Sequence, residues 1–207
     1  MENKMKNRAI VIDQNQKLIF NVNKTDDNSI LTSFQEIAKS LLLDYQITVN
    51  DSNHYRFTEI EFYLSYPSHP DPYPHLDDRQ LEMGQWYFHD SGIDITFGCP
   101  DYHGGILIRS IRKSQDGPFF NGPWVVRREL LRHLTYAATG QLSIKVQPIQ
   151  NNKKGDPVQI YTSLRIGLNP QRDDKNGYKY FNAEYRFVIL KEDTTNHCRK
   201  AELKPLL

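Results

Sequence analysis

The sequence predicts an α+β fold: a single domain with a curved, mostly antiparallel β-sheet and a few packed helices. Three observations predict it. Strand-like segments outnumber helical ones, the connections are of hairpin length, and 12 tyrosines and 10 phenylalanines among 207 residues favour β-structure. No linker or internal repeat interrupts the chain. We therefore assign the domain to residues 1–190 and a polar tail, expected to fray, to residues 191–207.

Composition narrows the class of protein. The formal net charge is +1, which is small for a protein that binds nucleic acid through its overall field, so any DNA contact must come from local patches. The first residues lack an apolar signal segment, and no apolar run approaches the length of a bilayer span. The two cysteines, Cys99 and Cys198, have no metal-ligand spacing. We therefore expect a cytoplasmic protein with no membrane association.

The first elements are predicted to be a hairpin and a helix. Residues 8–22 form two short strands around the polar turn DQNQK, and residues 24–45 form the helix. We expect the helix N-cap at Thr32 or Ser33, with Glu36 close behind. Apolar residues repeat at helical spacing and predict the buried stripe Phe34, Ile37, Ala38, Leu41 and Leu42.

The strand YRFTEIEFYLSY, residues 55–66, concentrates chemistry on one face. Regular alternation directs Ile60, Phe62 and Leu64 to the core. The opposite face then holds Tyr55, Phe57, Glu59, Glu61 and Tyr63. The two carboxylates lie about 6.8 Å apart along the strand, so one could act as a general base while the other holds a partner. The alternative is an ordinary solvated face.

A proline-rich segment, residues 67–84, follows the strand and contains four of the eleven prolines. Proline excludes a helix or a central strand in its first half, so we expect a rigid, exposed and functional loop. The spacing of His69 and His75 matches no metal-ligand pattern. A histidine that hydrogen-bonds over a site is favoured over a metal site.

Two further strands are predicted on either side of Ser91 and Gly92. In the first, QWYFHDSG, Trp86 and Phe88 share a face, either as core residues or as aromatics that stack on a flat ligand. The next strand, GGILIRSIRK, carries Arg109.

Arg109 alternates with the apolar residues Leu107 and Ile111. A guanidinium on such a face needs a carboxylate or phosphate partner, unless it reaches water at a sheet edge. If Arg109 lies near Glu59 and Glu61, the three form a compact site of two acids and one cation.

The segment NGPWVVRRELLRHL predicts a second helix, with Gly122 as N-cap and Pro123 at the first helical position. We expect its core-facing residues to be Trp124, Leu130, Leu131 and Leu134. Its outward arginines form a solvated face or contact phosphates: Arg127, Arg128 and Arg132. Three more β segments, within residues 141–149, 156–168 and 178–190, complete the domain.

In this order the segments resemble the alkyladenine (3-methyladenine) DNA glycosylase family. The resemblance covers about residues 34–190 and rests on six motifs: EIEFY, the Pro/His loop, LIRS, the GP helix start, LRIG and YRF. It implies a monofunctional DNA glycosylase that flips a modified base out of double-stranded DNA and hydrolyses its N-glycosidic bond. It also implies no metal or redox cofactor. The protein is then expected to act as a monomer.

The resemblance also assigns roles to residues. Glu61 matches the general base that activates water, and Arg109 an arginine beside that water. Tyr63, Phe88 and His75, or less so His69, match the base pocket, to which Trp86 and Glu59 are added as neighbours. Ser91 and Gly92 at the hairpin tip, with Arg127 and Arg128, are the expected DNA contacts.

Three departures change what is expected of the substrate. Ser91 stands where the family has an intercalating tyrosine, Gly98 stands near its pocket asparagine, and the proline-rich loop differs. The base specificity should therefore differ from that for alkylated purines. Three alternatives follow: repair of alkylated or deaminated bases, defence against hypermodified phage bases such as glucosylated cytosines, and an inactive DNA-binding homologue.

Overall fold

The sheet is organised around one long strand. The computed structural model describes residues 8–114, 116–138, 140–150, 158–189 and 203–206. A hairpin, a helix and a short strand come first: β1 Ile10–Ile12, β2 Leu18–Phe20, α1 Asp27–Asp44 and β3 Tyr45–Val49. The long strand, β4, then spans the 14 residues Asn53–Tyr66.

Nine more strands, one α-helix and two 3₁₀ helices follow among the described residues. Up to the second α-helix they are β5 His69–Pro70, a 3₁₀ helix Asp78–Leu81, β6 Met83–His89, β7 Gly92–Phe97, β8 His103–Lys113, β9 Phe119–Asn121 and α2 Pro123–Leu131. The rest are β10 Ile144–Pro148, β11 Ile160–Ser163, a 3₁₀ helix Pro170–Asn176, β12 Arg186–Ile189 and β13 Lys204–Pro205.

Each pairing between these strands is antiparallel. The main path of the sheet runs β13-β11-β12-β4-β8-β7-β6, with β3, β5, β9 and β10 paired beside it. One edge of β4 pairs with β8 over most of its length, and the other edge pairs in turn with β3, β12 and β5. The predicted α+β fold with a mostly antiparallel sheet is confirmed. The closer resemblance to a glycosylase fold stays a prediction.

Helix α1 packs its apolar stripe on the sheet. All five predicted stripe residues are buried, and Phe34 stacks on Phe62 of β4 with ring centroids 4.4 Å apart. The predicted N-cap at Thr32 or Ser33 is wrong, because the helix begins nearly two turns earlier. Asp26 is the cap, and its Oδ1 accepts from the backbone N–H of Ser29 at 2.8 Å. Aspartate caps a helix at least as well as serine does, so the earlier signal prevails.

Helix α2 begins as predicted, with Gly122 as N-cap and Pro123 in its first turn. Its buried face is different, however, because Val126, Glu129 and Leu130 face the sheet. Three predicted core residues are instead exposed: Trp124, Leu131 and Leu134. The Tyr55 hydroxyl donates to Glu129 Oε1 at 2.7 Å, which fixes the rotation of the helix about its axis.

The end of the chain contributes to the sheet. Residues 190–202, where the predicted tail begins, lie outside the described residues. Lys204 and Pro205, within that predicted tail, pair with Thr162 and Tyr161 of β11. Among the described helices, none is both long and apolar enough to cross a membrane.

Candidate active site

A β-bulge in the middle of β4 decides which side chains face the site. The pairing of β4 with β8 shifts register between Phe57 and Ile60, where Thr58 Oγ1 and Ser110 Oγ hydrogen-bond at 2.8 Å. Tyr55 and Phe57 therefore lie in the core, on the same side as Ile60. The prediction that they share a face with the two glutamates is wrong, because a bulge interrupts the alternation.

The glutamates of β4 form a buried charge cluster with two arginines. Glu59 Oε1 accepts from Arg109 Nε at 2.9 Å and from Arg186 Nε at 2.7 Å. Glu61 Oε2 accepts from Arg109 Nη1 at 3.4 Å. The predicted partner of Arg109 is therefore confirmed as a pair of carboxylates. Two acids and two cations balance in charge, which is the condition for burying such groups.

The same bulge changes the face of Arg109. The pairing with β4 passes from Ser110 to Ile108 without engaging Arg109. Ile111 consequently lies in the core, whereas Arg109 and Leu107 line a cavity. The predicted common face of Arg109 and Ile111 is wrong for this reason.

Glu61 is fully buried, and both of its oxygens have partners. Its Oε1 accepts from the backbone N–H of Ile166 at 2.8 Å, and its Oε2 accepts from the Tyr63 hydroxyl at 2.7 Å. Burial raises the pKa of Glu61, and Arg109 opposes that shift. Tyr63, Arg109 and Ile166 all line the cavity, whereas Glu61 lies one layer behind them. A raised pKa suits a carboxylate that accepts a proton near neutral pH.

The LRIG segment explains how Glu61 is held. Arg165 turns into the core, Ile166 donates its backbone N–H to Glu61, and Gly167 adopts φ of 80°, a conformation that favours glycine. The Arg165 guanidinium lies 4.7 Å from the ring centroid of Tyr63. Three consecutive residues thus fix the wall around Glu61.

Residues 71–74 of the proline-rich loop are mostly buried, so the prediction of an exposed loop is wrong for these residues. Asp71 Oδ2 accepts from Arg165 Nη1 at 2.7 Å, with both side chains fully buried. His69 and Tyr73 are buried beside them. The loop is drawn inward because Arg165 needs a counter-ion inside the protein.

The cavity in front of Glu61 has a volume of about 300 Å³, at the lower end of ligand pockets. Six parts of the chain line it: β4, β8, the proline-rich loop with its 3₁₀ helix, the β6–β7 hairpin, the start of α2, and the segment after β11. The side chains that matter below are Tyr63, Tyr73, His75, Gln80, His89, Ser91, Asp94, Leu107, Arg109 and Arg172.

Opposite the glutamates lies a wall that sequence reasoning missed. His89 Nε2 is 3.1 Å from Asp94 Oδ1, and His89 Nδ1 is 3.0 Å from Ser91 Oγ. The His75 ring centroid lies 4.5 Å from that of His89. The sequence does contain a signal for this wall: apolar and polar residues alternate in IDITF, residues 93–97, and this alternation predicts that Asp94 faces away from the core. The pairing of Asp94 with Leu107, and of Leu107 with Glu61, places the two acids two strands apart.

Of the two loop histidines, His75 lines the cavity. Burial lowers its pKa, and the neighbouring His89 lowers it further. His69 instead lies in the interior, where its Nδ1 is 3.1 Å from Asp27 Oδ1. The prediction that favoured His75 is the one consistent with this geometry.

The other predicted aromatics lie elsewhere. Trp86 and Phe88 pack against the hydrophobic core, and the Trp86 indole donates to the carbonyl of Ile144 at 2.8 Å. The prediction that they line the site is wrong, because the alternation of β6 directs Tyr87 and His89 to the other face. Glu59 is a partner of Arg109 and Arg186 rather than part of the cavity lining.

Gly98 has no room for a side chain. A Cβ there would lie 1.7 Å from the backbone oxygen of Gln80. Gln80 itself is fully buried and lines the cavity, and its Nε2 lies 3.5 Å from Asp94 Oδ2. Among the described residues its Oε1 has no hydrogen-bond partner. The side-chain amide that faces the cavity is therefore that of Gln80 on the 3₁₀ helix, and position 98 supplies none.

Helix α2 borders the cavity at its first residue. Pro123 lines it and packs on Gly92, where an added Cβ would meet the Pro123 Cβ at 2.8 Å. Trp124 is 50% exposed and lies 4.8 Å from the Arg128 guanidinium. Arg127 donates to the carbonyl of His89. Its guanidinium therefore binds the β6–β7 hairpin, although the side chain was predicted to point outward from the helix.

The fold and the site together define an α+β protein with a polar cavity between a glutamate wall and a histidine wall. The chain is 30% identical, over 84% of its length, to "Uncharacterized protein L759" of Acanthamoeba polyphaga mimivirus, of which the match covers 92%. The chain belongs to the same family as that viral protein. No protein-family model matches the chain, and no solved structure does.

Proposed function

We propose that this protein is a monofunctional DNA N-glycosylase that takes a flipped, modified base into the cavity. One observation carries the proposal: all three hydrogen-bond partners of the buried Glu61 carboxylate line the same cavity. A carboxylate with a raised pKa behind a small cavity suits two tasks. It accepts a proton from water, and its charge stabilises a positively charged sugar in the transition state.

In the proposed reaction Tyr63 connects water to Glu61. A water in the cavity attacks C1′ of the sugar and gives a proton to the Tyr63 oxygen. Tyr63 passes its own proton to Glu61 Oε2, to which it donates at 2.7 Å. The C1′–N bond breaks with its electron pair on the base. Because burial holds the pKa of Tyr63 well above its ordinary value, the tyrosine stays neutral during this transfer.

Two aromatic residues offer faces to a flat base. Tyr63 and Tyr73 line the cavity, and base–aromatic stacking contributes about 1–3 kcal/mol per base. That gain offsets part of the cost of flipping, a few kcal/mol. In this proposal Arg109 orients the attacking water or the adjacent phosphate, as a fixed cation of the wall.

The DNA-facing surface is proposed to include the start of α2. Apolar side chains that enter the base stack stabilise a flipped state. Ser91 is too small for that role, whereas Trp124 is half exposed next to the cavity-lining Pro123. Arg128, against the Trp124 ring, supplies a positive charge for a phosphate.

A hydrolytic rather than a lyase mechanism is favoured by the lining. A glycosylase that also cleaves the sugar needs an amine nucleophile. The described residues that line the cavity include no lysine. The expected products are a free base and an intact strand with an abasic site.

The test is a panel of duplex oligonucleotides that each carry one altered base. Alkylated, deaminated and glucosylated 5-hydroxymethyl bases represent the repair and the phage-defence alternatives. Cleavage by alkali after incubation reports abasic sites. We expect at least one base to be released by the wild-type protein. A panel with no release on any base, together with retained DNA binding, would identify an inactive DNA-binding homologue.

The matched variants are Glu61→Gln and Glu36→Gln. Glu61→Gln removes the proton acceptor and should abolish release while DNA binding persists. Glu36 is exposed on α1, so its substitution should leave the rate unchanged. Release at the wild-type rate by the Glu61→Gln protein would refute the role of Glu61.

A further inference from the structure

The histidine wall contains a connected set of three groups that the proposed reaction leaves unused. Ser91 Oγ, the imidazole of His89 and the carboxylate of Asp94 follow one another at 3.0 and 3.1 Å. The side chains of His89 and Asp94 are 6% and 3% exposed, and Ser91 lies exposed at the hairpin tip. All three line the cavity.

We propose that Ser91, His89 and Asp94 form a relay that donates a proton to the departing base, opposite Glu61. This inference rests on the proposed glycosylase function and adds a general acid to it. A Ser–His–Asp arrangement is recognised by geometry rather than by order along the chain. Here it acts in the acid direction. Asp94 orients the imidazole and stabilises its protonated form, and Ser91 presents the proton to the cavity.

The atoms of the step balance. The departing base nitrogen takes the proton of the Ser91 hydroxyl as the electron pair of the C1′–N bond moves onto it. The His89 imidazolium gives its Nδ1 proton to the Ser91 oxygen. A neutral imidazole remains, and its Nε2–H donates to the Asp94 carboxylate.

Several charged and titratable groups surround His89. They come from every neighbouring element and are Asp94 of β7, Tyr87 of β6, His75 and Arg172 of the two loops, Arg109 of β8 and Arg127 of α2. Asp94 is the acid in direct contact with the ring. Burial keeps the pKa of His75 low, so His75 is neutral and does not compete for the same proton. Arg127 binds the carbonyl of His89 and fixes its backbone.

The position of the relay fits a separate role from that of Glu61. Asp94, Leu107 and Glu61 are consecutive cross-strand partners, so the two walls lie about 10 Å apart, two strand spacings. An acid on one side of a sugar–base bond and a base on the other is the arrangement that displacement by water requires. Leu107 lines the cavity between the two walls.

A general acid matters only for some bases. A purine alkylated at N7 or N3 is already cationic and leaves as a neutral molecule. An uncharged base would leave as an anion unless it is protonated. The relay therefore predicts that the site is built for uncharged modified bases, and it should contribute roughly 10²–10⁴-fold to their release.

The experiment compares two kinds of probe, a cationic base and uncharged bases, in single-turnover reactions. One duplex carries 7-methylguanine, which is cationic, and the others carry hypoxanthine or glucosylated 5-hydroxymethylcytosine, which are uncharged. The variants are Ser91→Ala, Ser91→Thr and His89→Gln, with His54→Gln as an exposed control distant in sequence from the relay. Thermal unfolding of each variant shows that it is folded.

We expect Ser91→Ala and His89→Gln to slow release of the uncharged base by about two orders of magnitude or more. Ser91→Thr keeps the hydroxyl and should retain most of the rate. Release of 7-methylguanine should be little affected by any of these variants, because that base leaves without being protonated.

The outcomes separate the two proposals. If the wild-type protein releases no base, the glycosylase proposal falls and the relay with it. If it releases only 7-methylguanine, or if Ser91→Ala releases an uncharged base as fast as Ser91→Thr does, the relay is refuted while the glycosylase proposal stands. If only uncharged bases are released, the comparison of Ser91→Ala with Ser91→Thr decides, because equal rates for the two variants refute the relay.

Discussion

The two walls of the cavity differ in how they hold charge. The glutamate wall balances Glu59 and Glu61 against Arg109 and Arg186, and most of these atoms are buried. The histidine wall pairs one carboxylate, Asp94, with an imidazole that also contacts the Ser91 hydroxyl. The first wall depends on fixed charges that must remain paired. The second is a hydrogen-bonded chain that includes a neutral hydroxyl, so substitutions in the two walls should have different costs.

The largest effect is expected on stability at the glutamate wall. Glu59→Gln removes the charge that both Arg109 and fully buried Arg186 contact. Breaking a buried ion pair by removal of one partner costs about 3–5 kcal/mol. Urea denaturation should show a loss of that order in the free energy of unfolding. Asp94→Asn is the matched change on the histidine wall, and because the asparagine oxygen can still accept the hydrogen bond from His89 we expect it to cost about 1 kcal/mol. Equal losses for the two variants would contradict the comparison.

A second prediction concerns which side of the cavity meets DNA. If the hairpin and the start of α2 face the duplex, Trp124→Ala removes a stacking surface. Binding to a duplex with an altered base should weaken by about 1–3 kcal/mol. Fluorescence anisotropy measures it. Tyr136→Ala is the control, since Tyr136 is 82% exposed and five residues beyond the end of α2. If both substitutions weaken binding equally, Trp124 has no special role.

A third prediction follows from the raised pKa of Glu61. Between its ordinary pKa of 4.5 and the raised folded value, the folded state binds the proton that the unfolded state has lost. Stability from this group is therefore full below pH 4.5 and declines as pH rises through the folded pKa, by up to about 1.4 kcal/mol per pH unit. Glu61→Gln should lack that decline. The difference between the two unfolding free energies, measured from pH 4 to 8, isolates it. A difference that does not change with pH would contradict a raised pKa.

The smallest predicted effect concerns Arg128. As an exposed cation at the DNA-facing surface, it should contribute one phosphate contact. Arg128→Gln should reduce the slope of the logarithm of the binding constant against the logarithm of salt concentration by about one unit. The loss of affinity should be nearly the same for each type of base. A titration of binding against salt concentration checks it. Lys145→Gln, on β10, removes an equally exposed cation and should leave the slope unchanged.

Local patterns predicted much of the fold. The hairpins, the apolar stripe of α1, the start of α2 and the strand order around Ser91 depend on neighbours within a few residues, which the sequence displays directly. The pairing of Arg109 with Glu59 and Glu61 was also predictable, because a guanidinium beside apolar residues needs a counter-ion. These inferences used only short-range spacing and one rule of charge burial.

The rest depended on contacts that are distant in the sequence. The part of the proline-rich loop around Asp71 is buried because Arg165, 94 residues after Asp71, binds Asp71. Gln80 and Asp94 meet at the cavity only through the register of the sheet. Trp86 and Phe88 were assigned to the site from aromatic composition, which does not distinguish a core face from a cavity face.

The bulge near Thr58 also governs how this segment responds to insertions and deletions. Because side chains alternate with a period of two, Phe57 and Ile60, which are three residues apart, share the core face only while Thr58 is an extra residue between them. Loss of Thr58 would make the strand regular and leave every side chain on its present face. Loss of Ile60, in contrast, would put Glu59 and Glu61 on opposite faces. An alignment of relatives should therefore tolerate a one-residue gap at position 58 but not between Glu59 and Glu61.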